Sequence, residues 1–306
     1  MQRSPARQFP AMKEEIQAPK KSYIIAGPTA SGKSAFAHKL AKLVGGRIIN
    51  ADSVQIYKGI ETISASPFAG MEPGADNMID GVPYSLYSIL PLEKITNVAD
   101  YMALARKEFE EADVPIFVGG SGYYINALIS GMSPIPKVSP ENREKARKMV
   151  QEAPHAARRL IDFEYRDPQR MMRALEVFLE TGRSLTEWQE LPRRGAIRPT
   201  PIRVLVSPPR ETIELALRER LPQMLAFGAM DEAREHMGFA DRAIGLEELS
   251  RFIQGVCTEE EAMEKWATRT DQYAKRQRTW FAHQYDADLR IMHIPTDKDL
   301  ENVLAL

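Results

Sequence analysis

Residues 23–43 read YIIAGPTASGKSAFAHKLAKL, and the reading of the fold starts from them. Tyr23-Ile24-Ile25-Ala26 is a short apolar run with the character of a buried strand. The next eight residues, Gly27-Pro28-Thr29-Ala30-Ser31-Gly32-Lys33-Ser34, match G-x-x-x-x-G-K-S/T in full, and Phe36, Leu40 and Leu43 then recur on one helical face. Strand, glycine loop and helix in that order are the context of a phosphate-binding P-loop. Gly27 and Gly32 let the backbone curl so that its N–H groups converge at the positive end of the helix dipole. Lys33 adds a full charge, and the Ser34 hydroxyl can hold Mg²⁺ against the phosphates. A chance glycine turn is the weaker reading, because eight residues and both flanks agree. A ligand with a diphosphate or triphosphate is expected here.

At 306 residues the chain can bury a sizeable core, as one large domain with an insertion or as two domains. A net charge of −1 excludes a uniformly basic nucleic-acid binder, so any polyanion site must come from local clusters of Lys and Arg. The single cysteine, Cys257, excludes an internal disulfide and fits a reducing compartment. It reads as a half-buried small side chain rather than a nucleophile. No apolar run approaches the ~18 residues of a membrane-spanning helix, and no apolar signal core opens the chain. A cytoplasmic protein without membrane contact is expected.

Beyond the P-loop helix, Gly45-Gly46 stops the helix and Arg47-Ile48-Ile49-Asn50 begins a second strand, ending in Ala51-Asp52-Ser53-Val54-Gln55. In a parallel α/β sheet, ligands sit outside the carboxyl ends of the strands. Asp52 there can order Mg²⁺ through water, act as a general base, or cap the next turn. Residues 58–97 read as irregular, a loop or small flap. After a helical stretch over 98–112, residues 114–118 (VPIFV) form a third apolar strand that runs into Gly119-Gly120-Ser121-Gly122. A P-loop hydrolase would carry a magnesium-holding acid at such a strand end. Its absence counts against a nucleotide-hydrolysing motor or switch. Ser121 and its neighbouring N–H groups read instead as a second cradle facing the same phosphates, with a flexible turn as the alternative.

Residues 1–20, with Pro5, Pro10 and Pro19, read as a loose arm in which Arg3, Arg7 and Lys20 meet solvent. From 133 to 198 the chain is helical and rich in arginine, including Arg158, Arg159 and Arg166. Arg170 and Arg173 share a helix face with Gln169 at its edge, while Met171, Leu175 and Phe178 supply the apolar side. Arginine without a matching acid on that face suits phosphate contacts. Residues 202–206 return to strand character and 211–227 to a helix. A long helix over 259–281 ends in YAKRQRTWF, where Lys275, Arg276 and Arg278 alternate with aromatics in a pattern suited to a nucleic-acid backbone, though Trp280 equally fits a core. Residues 290–294 form a last edge strand. The five histidines show no metal-binding spacing.

With these residues in place the chain resembles the tRNA dimethylallyltransferases over about 23–283. The resemblance rests on GPTASGKS, NADSVQIYKG, FVGGSGYYINAL, DPQRMMRALEV with TGRSLTEWQ, the RAIG turn and YAKRQRTWF, in this order. It implies a P-loop that holds the diphosphate of dimethylallyl diphosphate, with Asp52 as general base toward the N6 amine of the adenosine next to the anticodon. Ser121 stands where the family has threonine, and Arg242 corresponds to an arginine that meets the diphosphate. Asp52, Ser53, Val54, Gln55 and Gln169, Arg170, Met171, Met172, Arg173 correspond to tRNA contacts. The chain departs from the family at Tyr84-Ser85 and Leu246-Glu247, and its insertion is short between Pro134 and Arg166.

The fold expected is α/β: a P-loop NTPase-like parallel sheet flanked by helices, with an inserted all-helical domain. Residues 21–132 and 199–306 form the core and 133–198 the insertion. The function expected is transfer of a dimethylallyl group to the tRNA anticodon stem-loop with Mg²⁺, by a monomer in which Lys275, Arg276 and Arg278 grip phosphates. An adenylate isopentenyltransferase would not need the basic insertion, and a small-metabolite kinase would consume ATP.

Overall fold

The computed structural model describes residues 20–71, 77–161 and 167–306. Apart from Lys20, the arm expected over 1–20 lies outside the described residues, as does Arg166. The chain opens with strand β1 (Tyr23–Ala26), the glycine loop, helix α1 (Lys33–Val44) and β2 (Arg47–Asn50). A hairpin of β3 (Met78–Ile79) and β4 (Val82–Ser85) follows, then α2 (Val98–Glu111), β5 (Pro115–Gly119) and α3 (Gly122–Ser130). Four helices come next: α4 (Pro140–Glu152), α5 (Pro154–Leu160), α6 (Pro168–Thr181) and α7 (Leu185–Glu190). The chain then returns through β6 (Ile202–Val206), α8 (Arg210–Ala226), α9 (Ala229–Glu235), a 3-10 segment at Met237–Arg242 and α10 (Leu246–Ile253). It ends with α11 (Glu259–Gln284), β7 (Leu289–Ile291) and α12 (Asp297–Leu304).

Among the described residues, seven strands make one sheet in the order β3-β4-β2-β5-β1-β6-β7, parallel from β4 to β7, with the β3–β4 pair antiparallel. The apolar runs of the central strands follow from burial on both faces. Successive side chains alternate between faces. Tyr23, Ile25, Ile48, Ile116, Val118, Val204 and Val206 accordingly pack in one cluster with Phe36 and Leu40 of α1. Ile24, Ala26, Ile49, Phe117 and Leu205 face the opposite cluster with α2, α3 and Phe281 of α11. A third cluster joins Ile56, Ile60 and Ile63 to α8–α11 through Leu221, Leu246 and Trp266.

The stretch expected to be irregular over 58–97 contains β3 and β4, and β4 extends the parallel sheet beside β2. Pro83 and Ser85 interrupt its apolar run, which hid it. The Asp80-Gly81 turn, with φ of 48° and 80°, is the two-residue hairpin signal that marks it. Helices α4–α7 have their own core around Ala146, Met171, Leu175 and Leu185. The chain enters and leaves them through one neck, where Met132 and Arg194 exchange backbone hydrogen bonds of 2.9 and 2.8 Å. No helix among the described residues is long and apolar enough to cross a membrane.

The contact between β5 and β2 depends on a missing side chain. A Cβ on Gly119 would lie 2.1 Å from the Ala51 carbonyl oxygen, a backbone atom that cannot swing aside. Gly119→Ala should therefore cost about 2–3 kcal/mol of stability. Denaturant unfolding checks this; an unchanged midpoint would show that the two strand ends part freely.

Candidate active site

A cavity of about 630 Å³ opens beyond the carboxyl ends of β1 and β2. Thr29 through Ser34 line it, while Gly27 and Pro28 lie buried behind the loop. The Lys33 ammonium donates to the Pro28 carbonyl at 3.1 Å, folding the lysine back over its own loop. Burial lowers the Lys33 pKa from 10.5 to about 8; the nearby Asp52 opposes that shift and Arg220 adds to it.

Arg220, on α8, is a residue the sequence reading passed over. Its Nη2 donates to Thr29 Oγ1 at 2.8 Å, and burial pulls the pKa of its guanidinium below the ordinary value. Three buried polar atoms of lining residues, Ser31 Oγ, Arg220 Nε and Arg242 Nε, have no protein partner. Unpaired buried donors are rare in folded proteins, and three around a lysine at a helix N-terminus form a cradle for a multiply charged anion. Arg242 reaches the cavity from the 3-10 segment before the Ala243-Ile244-Gly245 turn.

Asp52 and Ser53 line the same cavity from the end of β2. Asp52 is fixed from two sides. Its N–H donates to Asn50 Oδ1 at 2.8 Å, while Asn50 Nδ2 donates to the Asp52 carbonyl at 2.9 Å. The Val54 N–H donates to Asp52 Oδ1 at 3.0 Å, which leaves Oδ2 for another donor. Val54 and Gln55 also line the cavity, yet Gln55 Nε2 is engaged by the carbonyls of Ser64 and Ala65.

Ser121 stands just past the end of β5, beside the Asp52 loop. Its hydroxyl accepts from the Ser53 N–H at 2.9 Å and donates to Ser53 Oγ at 3.1 Å, and it is not part of the cavity lining. The second glycine loop is therefore tied to the Asp52 loop through this hydroxyl. Tyr273 of α11 completes this corner. It lines the cavity, and burial raises its pKa and keeps it a neutral hydroxyl. The apolar wall comes from Met224, Ile244 and Trp266.

The expected RNA contacts fall into separate places. Gln169 and Arg170 are exposed at the start of α6, and Met172 and Arg173 are half-buried. Met171 is 4% exposed in the core of the four-helix segment, so its side chain offers no surface. Arg173 has the acidic neighbour the sequence reading missed: its guanidinium meets Glu176 at 3.0 Å. On α11, Lys275 and Arg276 are exposed, and Arg276 lies over the Tyr273 ring at 5.9 Å. Arg278 is half-buried. Of the departures, Tyr84 bonds His38 at 2.8 Å at the sheet flank, Leu246 is core, and Glu247 pairs with Arg269.

A lysine with a pKa near 8 must regain its proton when an anion binds beside it. Diphosphate binding at about pH 9 should take up close to one proton, and the uptake should fade toward pH 7, where Lys33 is already charged. Calorimetry in two buffers of different ionisation enthalpy reads this. Lys33→Met should abolish the uptake, and uptake that persists in that variant would assign it elsewhere.

The family model described as IPP transferase matches residues 55–284, and one described as isopentenyl transferase matches residues 20–72. A tRNA dimethylallyltransferase of Acidiphilium cryptum is 38% identical over 287 residues, covering 88% of this chain and 86% of its own. The crystal structure of a Staphylococcus epidermidis tRNA delta(2)-isopentenylpyrophosphate transferase is 27% identical, with a TM-score of 0.63, covering 94% of this chain and 98% of its own. A eukaryotic dimethylallyltransferase captured acting on tRNA superposes with a TM-score of 0.69 over 89% of this chain and 74% of its own. At 23% identity that last likeness speaks for the fold alone. The span of these matches, on a sheet that ends in a P-loop cradle, means that the chain belongs to the IPP transferase family of tRNA dimethylallyltransferases, which are prenyl-transferring enzymes.

Proposed function

We propose that the chain transfers a dimethylallyl group from dimethylallyl diphosphate to N6 of adenosine 37 in the tRNA anticodon loop. The observation that carries this reading is one cavity lined by cations, a carboxylate and an apolar wall: Lys33, Arg220 and Arg242, then Asp52, then Met224, Ile244 and Trp266. The reaction breaks the bond between the allylic C1 and the diphosphate oxygen, which leaves with the electron pair. A bond forms between N6 and C1, and the N6 proton passes to the Asp52 carboxylate.

Each group has a physical task. Negative charge grows on the departing diphosphate, so the loop N–H groups, Lys33, Arg220 and Arg242 favour the transition state over the ground state. The adenine amine is a weak nucleophile, and the fixed carboxylate of Asp52 orients it and removes its proton as the new bond forms. The apolar wall shields the allylic carbon from water. Among the described residues no group of three or more His, Cys, Asp or Glu side chains is placed to hold a metal, and Asp52 and Asp241 are the carboxylates of the lining. That donor set fits Mg²⁺ carried on the diphosphate oxygens with Ser34 Oγ as its protein ligand. Bound there, Mg²⁺ would neutralise charge on the leaving group.

The base must leave the anticodon stack to reach the cavity. Residues 21–132 and 199–306 act as the catalytic core, and residues 133–198 as the segment that holds the stem. Exposed Gln169 and Arg170, together with Lys275, Arg276 and Arg278, are the proposed phosphate contacts. A tRNA acceptor supports a cytoplasmic location, and the chain is proposed to act as a monomer.

The test offers labelled dimethylallyl diphosphate, unmodified tRNA and AMP together, followed by nucleoside analysis. Label should appear in tRNA as N6-dimethylallyladenosine; label on AMP, or none, overturns the reading. Asp52→Asn keeps the acceptor for the Val54 N–H and removes the base. It should lower kcat by about 10²–10⁴ with tRNA affinity retained, and unchanged turnover would remove Asp52 from the chemistry.

A further inference from the structure

We propose that Gln277 is a positioning residue of the diphosphate cradle. Its side-chain amide joins the P-loop to the second glycine loop and so fixes the cations of the leaving-group site relative to the strand end that carries Asp52. The inference deepens the transfer reading and rests on it for the identity of the anion.

In the sequence Gln277 is hidden inside Lys275-Arg276-Gln277-Arg278, a run of cations. In the fold it is the residue of that run which turns inward, at 6% exposure, on the same face of α11 as Ala274 and Phe281. Both ends of its amide are engaged. Oε1 accepts from the Thr29 N–H at 2.9 Å, and Nε2 donates to the Gly120 carbonyl at 2.9 Å. One loop thus presents a donor and the other an acceptor, and a primary amide carries the complementary pair at that reach without needing a proton from solution. A carboxylate lacks the donor, and an apolar side chain of similar shape leaves two backbone groups unpaired. The fit is close enough to depend on glycine: a Cβ on Gly120 would lie 2.2 Å from Gln277 Nε2.

The consequences run through Thr29. Its N–H is held by α11 and its hydroxyl accepts from Arg220 of α8, so the seat of the Arg220 guanidinium is set by a residue that Gln277 anchors. One turn before Gln277 on the same helix, Tyr273 lines the cavity, and Ser121, next to Gly120, holds the Ser53 N–H. The inward face of α11 is thereby bolted to both loops, beside Asp52 on one side and the diphosphate cations on the other. Gln277 itself does not line the cavity. It acts through Thr29 and Gly120.

The test uses Gln277→Leu and Gln277→Glu in the full chain, with inorganic diphosphate and MgCl₂ as the calorimetric probe and steady-state kinetics alongside. Gln277→Leu should weaken diphosphate binding about tenfold, the effect of two buried backbone groups left unpaired. It should raise the KM for dimethylallyl diphosphate by a similar factor and leave the KM for tRNA unchanged. Gln277→Glu separates positioning from mere folding. A protonated carboxyl can accept from Thr29 and donate to Gly120, whereas the carboxylate faces the Gly120 carbonyl with a second negative oxygen. Its diphosphate affinity relative to wild type should therefore recover as the pH falls from about 8 toward 5.5, the range in which a buried carboxyl takes its proton. The ratio at each pH cancels the titration of diphosphate itself. A flat ratio, or wild-type diphosphate affinity in Gln277→Leu, overturns the proposal. Wild type that binds diphosphate without prenylating tRNA overturns the transfer reading instead, and the binding arm still decides the role of Gln277.

Discussion

The site depends on how closely the ends of β2 and β5 approach. Because Gly119 has no side chain, the Ala51 carbonyl can lie where a Cβ would stand, and the two loops leaving these strands run side by side. The Ser121 N–H then reaches the Ala51 carbonyl at 3.4 Å, and its hydroxyl takes the Ser53 N–H. Asp52 is carried into position by this packing and by Asn50 beneath it. Neither loop needs internal strain to hold the carboxylate, since the sheet behind them is buried on both faces and closely packed.

Electrostatics explain why such a cradle waits for an anion. Lys33 and Arg220 both have pKa values below their ordinary ones, and in each case the chief cause is burial. Asp52 relieves Lys33 only in part, and Arg220 works against it. A cluster of desolvated cations is poorly solvated by its own protein, and a multiply charged ligand compensates it. The same groups gain most as charge accumulates on a departing oxygen, so the arrangement favours bond breaking over mere retention of the donor.

The sequence discloses what is local. Strand β1, the loop and α1 follow from a contiguous pattern, and the apolar strands β2, β5 and β6 from runs buried on both faces. Strand β4 escaped because Pro83 and Ser85 break its run, although Asp80-Gly81 marked the turn. The functional groups that escaped are those defined by distance along the chain. Arg220 meets Thr29 across 191 residues, and Gln277 meets it across 248. Nothing in LRERLPQM or in KRQR separates these residues from neighbouring charge, because what distinguishes them is burial, which only tertiary packing assigns. Ser121 shows the converse. Its hydroxyl was legible, but its partner, Ser53, lies 68 residues away, so the tie to the Asp52 loop was not.

Helix α11 separates two polyanions. On the transfer reading the enzyme must hold a diphosphate and an RNA backbone at once, with a net charge of −1 for the whole chain. Cations shared between the two would bring the ligands together and set their charges against one another. The helix divides the work by its periodicity: Tyr273 faces the cavity and Gln277 the two loops, while Lys275 and Arg276 remain in solvent. The inward contacts are neutral hydroxyl and amide groups, which add no charge of either sign beside the diphosphate. The buried cations Lys33 and Arg220 serve the leaving group, where low dielectric strengthens them. The exposed cations are the ones proposed for the RNA backbone, where solvent and salt keep such contacts reversible. A single amphipathic face thus permits tight hold on a small anion and loose hold on a large one within the same site.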